Sequence, residues 1–503
     1  MKKDKAYELH LLIQSLTASE KKYVRWQLSK YDTSRQSKEL LLFDVMNQPK
    51  LPEEELIINA YQAQNYESSY LAADRNQLYE EILDALVRLA APSSGELQTT
   101  LGLQKAMVLF DKKNFAQALK QLKRTKKHAT QQEHWGSLIS LLQLEQRCLK
   151  VLGDFEGVTA AMQAQQETYE RILLQNQFEA LHYESIQLRI SYAKARSLEQ
   201  IEAIETLKTK VDDLTAKYIS QSSFYAAFHR LETLCNYYFV KDDSENESKS
   251  NEELVLLMQA HPWYLQNNPL NYVAIQTRLL TIQRRLSPTL FWVKLPEYRS
   301  LAKGLQKQKQ EAESTIFIFS HNYELDQYIN EKRWAAAVEM IPRMEQGLKK
   351  YKTRIDIHLH FSAHYRFALA YFFSQHYEEA LNATIFLLDE FPETLRPDVY
   401  QTSLLLQIII HYELGHYKLI PSLVTNTRYH IKKTNRLFKT ESLILSALQK
   451  LSKAKLPEEA AKKIFNTLEN KLLKLQSDPF ERKVLGIFNF LDWISTRHKH
   501  LSE

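Results

Sequence analysis

Pairs of apolar helical faces that meet across a short polar turn recur along this chain, and they constrain its fold more than any other feature. The clearest copy runs from His364 to Pro392, where Ala368 and Ala380 flank the turn. Both alanines are small enough to let two helix backbones approach closely, and Tyr371 and Tyr377 fill the remaining space. The closing proline ends the second helix because it cannot donate the next backbone hydrogen bond. The stretch therefore predicts an antiparallel helix pair.

Fainter copies of this hairpin occur in both halves of the sequence. In the first half, Ala118 and Val158 follow their turns 40 residues apart. In the second half, Ala337, Ala380 and Ile420 follow theirs at steps of 43 and 40 residues. Such internal periodicity is typical of proteins that stack helix pairs into a solenoid.

The content of helix-breaking residues supports this interpretation. Only 9 glycines and 13 prolines occur in 503 residues, whereas folds rich in sheets and loops usually need more turn residues. A chain of this length is also too long for one compact core. We therefore expect an all-α protein built as several domains or as one extended solenoid.

Changes in composition divide the chain into five segments. We predict an N-terminal helical module or cap (1–95), a first half of helical repeats (96–240), a polar loop and linker (241–270), a second half of repeats (271–430), and basic C-terminal helices with a cap (431–503). The stretch Lys241–Glu253 contains no aliphatic or aromatic residue, so we expect it to be a mobile loop. Near the C-terminus, Asp478 and Glu481 have capping-box spacing and predict one helix that carries Ile487, Phe488 and Ile494 on a single face.

Several classes of function lack their sequence signals. The chain has no glycine-rich phosphate loop, no H-E-x-x-H and no G-x-S-x-G, so we expect neither an enzyme nor a bound cofactor. His360 and His364 share one helical face, but no Cys or Glu at matching spacing completes a metal site, and we expect polar surface or packing there. Cys148 and Cys235 are too few for a disulfide framework, and no apolar run is long enough for a membrane span. A reduced, cytoplasmic setting fits best.

Basic residues are concentrated in the C-terminal part and suggest an alternative function. One cluster contains Arg428, Lys432, Lys433, Arg436 and Lys439. With the aromatic residues between them, these side chains are compatible with nucleic-acid binding or with an acidic protein partner. The ordinary alternative is the solvated face of amphipathic helices. For the N-terminal module, a DNA-binding helix-turn-helix competes with a simple cap on a repeat stack.

The clearest hairpin resembles the tetratricopeptide repeat (TPR) family. Phe367, Ala368, Tyr371, Ala380 and Pro392 match the family pattern, and the resemblance covers roughly 101–170 and 320–430. The sequence departs from the pattern where Thr384 replaces an aromatic residue and His364 replaces a tryptophan. A TPR-like chain with elongated repeats of about 40 residues is therefore the safer description.

The resemblance implies a right-handed superhelix whose concave groove holds a peptide or a helix of a partner protein. Carried over by position, the residues that face this groove are Asn322, Asp326, Asn330, Tyr365, Leu369, Phe372, Leu405, Ile409 and Tyr412. We expect a non-catalytic scaffold or adaptor that binds a protein or peptide through this face. The alternative is a nucleic-acid-associated or regulatory protein that uses the basic C-terminal helices.

Overall fold

The structure is a computed structural model that describes residues 5–31, 37–192, 194–195, 197–218, 223–305, 307–433, 439–453, 456–478, 481 and 485–500. In these ranges the chain forms 24 α-helices and four short 3-10 segments, with no β-strand among them. The all-α prediction is confirmed. No helix in the described part is long and apolar enough to cross a membrane.

The helices group into two compact units. The first unit contains Met1–Asp243 and Gln259–Asn267, and the second contains Ser244–Met258 and Asn268–Glu503. Helices of the first unit are α1 (Lys5–Ser15), α2 (Ala18–Leu28), α3 (Lys38–Met46), α4 (Glu54–Ala63), α5 (Leu71–Ala90), α6 (Gly95–Asp111), α7 (Phe115–Gln131), α8 (Trp135–Leu152), α9 (Phe155–Tyr192), α10 (Leu198–Lys217), α11 (Phe224–Lys241) and α13 (Pro262–Asn267).

Helices of the second unit include most of the strongest repeat signals. They are α12 (Ser244–Gln259), α14 (Pro269–Leu286), α15 (Pro288–Ser300), α16 (Lys309–Asn330), α17 (Trp334–Lys350), α18 (Ile357–Phe373), α19 (Tyr377–Glu390), α20 (Pro397–Glu413), α21 (Ile420–Lys433), α22 (Lys439–Leu451), α23 (Glu458–Leu475) and α24 (Phe490–His500).

The five helix pairs expected from the sequence are present and close through one kind of turn. In each turn a single residue adopts a left-handed backbone conformation, and these residues are Lys113, Gly153, Lys332, Gln375 and Gly415. The next residue donates its backbone N–H to the carbonyl five positions earlier, as His376 does to Tyr371 over 2.9 Å. This is the Schellman arrangement, which satisfies carbonyls at the end of a helix and reverses the chain.

The small residues expected at the helix crossing are buried as their roles require. Ala368 of α18 and Ala380 of α19 are 1% and 0% exposed, and the two helices pack against each other along the hairpin. In the N-terminal region, Thr17 accepts the backbone N–H of Glu20 while the Glu20 carboxylate accepts that of Thr17. This capping box starts α2 at Ala18.

The prediction of a mobile loop at Lys241–Glu253 is wrong, because most of this stretch belongs to α12. Four of its polar residues, Glu247, Ser248, Ser250 and Asn251, are buried, and two of them bind arginines of α14. The Glu247 carboxylate, 2% exposed, accepts from Arg285 over 2.9 Å, and the Asn251 carboxamide oxygen accepts from Arg278 over 2.5 Å. A helix can place one polar face in the interior when the buried polar groups find partners, which composition alone does not reveal.

The prediction of one long C-terminal helix is also wrong. A turn interrupts the chain at 486–489, and α24 starts anew at Phe490, where the Asn489 side chain accepts the backbone N–H of Asp492 over 3.1 Å. The buried Glu481 carboxylate accepts the backbone N–H groups of Lys439 and Thr440 over 2.8 and 2.9 Å, so it caps α22. The capping acid was recognised, but it caps a different helix from the one expected.

Candidate partner-binding site

The nine residues predicted to line a groove lie on α16, α18 and α20, the first helices of three successive pairs. Most of them belong to the interior. Phe372 is 3% exposed, and Leu405 and Ile409 are both 0% exposed. Together with Tyr365 and Leu369 they form part of one apolar cluster that includes residues of the C-terminal segment.

The C-terminal segment 485–500 covers this face. The Tyr365 hydroxyl donates to the backbone carbonyl of Ile487 over 2.9 Å. The ring of Phe488 lies 5.5 Å from the ring of Phe372 and stacks on Phe373 at 5.4 Å. Burial among these groups disfavours the phenolate and raises the pKa of Tyr365 far above its ordinary value.

Helix α24 continues the covering layer over α20. The Trp493 indole N–H donates to the Glu413 carboxylate over 2.6 Å, and the Arg497 guanidinium pairs with the same group. The Trp493 ring also lies against Tyr412, with centroids 6.4 Å apart. The Glu413 side chain is only 1% exposed, so its charge is matched inside the protein by Arg497.

The predicted open face is therefore largely covered by the chain itself. Apolar residues at helical spacing indicate that a face is buried, but the pattern is the same whether a partner or a distant segment of the same chain covers it. We expected the C-terminal helix only to cap the end of the repeats, and for that reason we did not predict from the sequence that it covers this face. Of the nine predicted residues, Asp326 and Tyr412 keep partial exposure, and Asn330 is exposed.

A cleft of about 570 Å³ remains beside the covered face, between α16, α18 and the C-terminal segment. It is lined by Asp326, Ile329, Asn330, Lys332, Trp334, Phe361, Ser362, Tyr365, Arg366, Leu369, Phe373, Arg396, Val399, Leu485, Gly486, Ile487, Asn489 and Asp492. Four of the nine predicted residues, Asp326, Asn330, Tyr365 and Leu369, are among them. We define these lining residues as the α16–α18 cleft.

Charged side chains on the cleft wall are held by fixed partners. The Asp326 carboxylate receives two bonds from the Arg366 guanidinium, one of them 3.0 Å long, and a longer contact of 3.5 Å from Arg284. At the other side, the Arg396 guanidinium donates to Asp398 over 3.1 and 2.9 Å and holds the pKa of that carboxyl below its usual range. Such bidentate pairs fix the planes of both guanidinium groups.

Some polar groups in the cleft are left for a ligand. The Asn330 carboxamide makes no hydrogen bond with a described residue, although it can both donate and accept. Lys332 pairs with Asp492 over 2.8 Å at the rim. Sequence reasoning missed Arg366, which follows the selected Tyr365, and missed Arg396 and Asp492. For Arg366 the sequence did offer a signal, because an Arg on α18 and an Asp on α16 stand at facing positions of neighbouring repeats.

The other sequence candidates lie apart from this cleft. His360 and His364 lie on the opposite side of α18, where burial lowers the pKa of His364 to about 4. No three potential metal-ligating His, Cys, Asp or Glu side chains come together within the described ranges. In the basic cluster, Arg428 is half-buried and Lys439 is exposed, while Arg436 and the side chains of Lys432 and Lys433 lie outside the described part.

The chain was compared with known proteins. No protein-family model matches it, and no match is found among curated proteins.

Proposed function

We propose that this chain is a non-catalytic, TPR-like scaffold that binds an extended peptide segment of a partner protein in the α16–α18 cleft. In this proposal the helix pairs form a right-handed superhelix of elongated repeats, and the cleft is the open part of its concave face. The chemistry of the cleft supports peptide rather than small-ion recognition, because apolar, amide and charged groups of both signs occur together on its wall.

The observation that carries the proposal is the way in which the chain's own C-terminal segment lies along the same helices. The segment makes three contacts through groups that are common in peptides. The backbone carbonyl of Ile487 accepts a hydrogen bond, the side chain of Phe488 enters an aromatic recess, and Asp492 pairs with Lys332. These helices therefore already hold a turn segment that is followed by α24, and the cleft continues the same surface.

The geometry also indicates the chemical character of the ligand. The Arg366 and Arg396 guanidinium groups are each engaged by a carboxylate, so a ligand finds no uncompensated arginine in the cleft. The available groups are the Asn330 carboxamide and the apolar surfaces of Ile329, Phe361 and Val399. A peptide with backbone polar groups and one apolar anchor satisfies both kinds of surface.

A display library of random linear peptides tests the proposal. The full chain is used for selection, and enriched peptides are then measured by fluorescence anisotropy against two variants. Ser362→Trp fills the cleft from α18, whereas Ser422→Trp places the same side chain at an exposed position on α21. We expect binding to wild type and to Ser422→Trp, and loss of binding to Ser362→Trp.

Two results would overturn the proposal. The first is a selection that enriches no peptide. The second is a set of enriched peptides that bind Ser362→Trp as tightly as wild type. Circular dichroism and the melting midpoint establish that both variants are folded before the affinities are compared.

A further inference from the structure

A second groove lies between α22 and α23, away from the α16–α18 cleft. These two helices follow each other in the chain and pack together, leaving a cavity of about 380 Å³ on their outer side. It is lined by Leu443, Ser446, Ala447, Lys450, Ala460, Lys463, Ile464, Thr467, Leu468 and Lys471. We call this set the α22–α23 groove.

The floor of the groove is apolar without belonging to the centre of the core. The residues that point inward from the two helices are Ile444, Leu448 and Phe465, all 0% exposed. Leu443 and Ile464 lie beside them, are only partly buried, and face the groove. The two helices therefore bury one side completely and leave a second apolar stripe incompletely covered, which marks a surface that can accept a partner.

The charged residues of the groove are all of one sign. Lys450, Lys463 and Lys471 are exposed, and no acidic residue is among the lining residues. Within the described ranges, none of the three ammonium groups is engaged in an ion pair or a side-chain hydrogen bond. Lys462 makes the contrast clear, because it lies outside the groove and pairs with Glu458 over 3.4 Å.

The spacing of the lysines matters for what can bind. Lys463 and Lys471 are eight residues apart on α23, which corresponds to about 12 Å along the helix axis. Lys450 lies on the other helix, so the positive charges occupy both sides of the apolar floor. A matching ligand needs several negative charges spread over two helical turns on either side of an apolar stripe.

We propose that the α22–α23 groove binds an acidic amphipathic helix of a partner protein. Apolar side chains at positions i, i+3 or i+4, and i+7 of that helix enter the groove above Leu443, Ala447, Ile464 and Leu468. Its flanking Asp and Glu residues pair with Lys450, Lys463 and Lys471. This proposal goes beyond the peptide binding proposed for the α16–α18 cleft and does not depend on it.

Two other ligand classes fit the groove less well. A fatty acid or another single-chain lipid has one anionic end, which leaves lysines on the remaining length without a counter-charge. A nucleic acid supplies enough phosphates, but no aromatic residue lines the groove for base stacking, and the apolar floor would stay uncovered. An acidic helix satisfies the floor and the three lysines together.

The test uses a displayed library of helical peptides with a fixed apolar stripe and randomised flanking positions. We expect selection on the full chain to enrich Asp and Glu at the flanking positions. The most enriched peptide is then synthesised with a fluorescent label and measured by anisotropy at low and high salt. Higher salt should weaken binding, because the lysine–carboxylate pairs lie at an exposed rim.

Matched variants locate the interaction. Lys463→Glu combined with Lys471→Glu should weaken binding by about tenfold or more, because each reversal turns an attraction into a repulsion. Lys303→Glu combined with Lys418→Glu changes the net charge equally at exposed positions outside the groove and should have little effect. Thr467→Trp fills the groove without changing charge and should also abolish binding.

Several outcomes would overturn this proposal. Enrichment of peptides without acidic flanks would do so, as would equal losses of affinity in the two charge-reversed variants, or unchanged binding to Thr467→Trp. Lysine-dependent binding of phosphatidylserine-containing vesicles or of a single-stranded oligonucleotide, without binding of the acidic peptide, would assign the groove to another ligand. Ser362→Trp should bind the acidic peptide normally, so failure at one site is distinguishable from failure at the other.

Discussion

The two faces of α18 look alike in sequence but have different surroundings in the structure. One face, with Tyr365, Leu369 and Phe372, lies under the C-terminal segment and belongs to the core. The other carries His364 and Tyr371, which line an open cleft of about 560 Å³ formed with α17 and α19. Both faces contain aromatic residues at helical spacing, so periodicity alone assigns them the same role.

The difference between the two faces comes from a segment more than a hundred residues away. Ile487, Phe488 and Trp493 cover one face, whereas no described segment covers the other in the same way. A helix that is apolar on all sides must be covered on all sides or present a binding surface. For α18 the chain supplies the cover for one side only, and that asymmetry is the feature that the following predictions test.

The largest expected effect is on the covered face. Trp493→Ala should lower the free energy of unfolding of the second unit by about 3–5 kcal/mol, because it empties a fully buried aromatic site. It also removes a hydrogen-bond donor from the buried Glu413 carboxylate. Chemical denaturation followed by circular dichroism measures the change, with Tyr429→Ala, at a 72% exposed position, as the control. A loss no larger than that of the control would show that α24 is not part of this core.

Much of the fold was predictable from the sequence because its signals are local. Ala368 and Ala380 mark a helix crossing, Thr17 and Glu20 form a capping box, and the positions of five turns follow from small residues and polar breaks. Each of these depends on contacts within one hairpin or one helical turn. The all-helical class followed from the same kind of evidence.

The features that were not predicted depend on partners distant in sequence. Glu247 lies in a polar stretch whose composition indicates a loop. Its buried position depends on Arg285 of α14, a partner that the local sequence does not reveal. The position of Tyr365 in its repeat predicts a groove residue, but in the structure its hydroxyl donates a hydrogen bond to the distant Ile487 carbonyl. The candidate cleft was predicted only in part for the same reason, since its far wall is built from the C-terminal segment.

The uncovered face should respond to acid. Burial lowers the pKa of His364 to about 4, with the neighbouring His360 contributing in the same direction. In the unfolded chain a histidine has a pKa of about 6.5, so between these values the unfolded state binds more protons than the folded state. The stabilisation is therefore complete above about pH 6.5 and is lost as the pH falls towards 4, by roughly 2–3 kcal/mol.

A substitution isolates this contribution. His364→Gln keeps a polar side chain but cannot titrate, so its free energy of unfolding should fall less steeply than that of wild type between pH 7 and 4. His358→Gln, at an exposed position on the same helix, is the control for loss of an imidazole. Parallel pH profiles for wild type and His364→Gln would mean that His364 is as accessible to protons in the folded as in the unfolded state.

The smallest expected effect concerns the ion pair at the rim of the covered face. Lys332 and Asp492 are 2.8 Å apart, with 61% and 27% of their side chains exposed. A double-mutant cycle with Lys332→Gln and Asp492→Asn should give a coupling energy of about 0.2–1 kcal/mol, because water and salt screen an exposed pair. Such a coupling energy is much smaller than the loss expected for Trp493→Ala. Apolar burial would then hold the C-terminal segment in place, and the segment would still cover the face at high salt. A coupling above about 2 kcal/mol, falling with added salt, would instead make the cover electrostatic. The difference between the two faces of α18 would then depend on ionic strength rather than on packing.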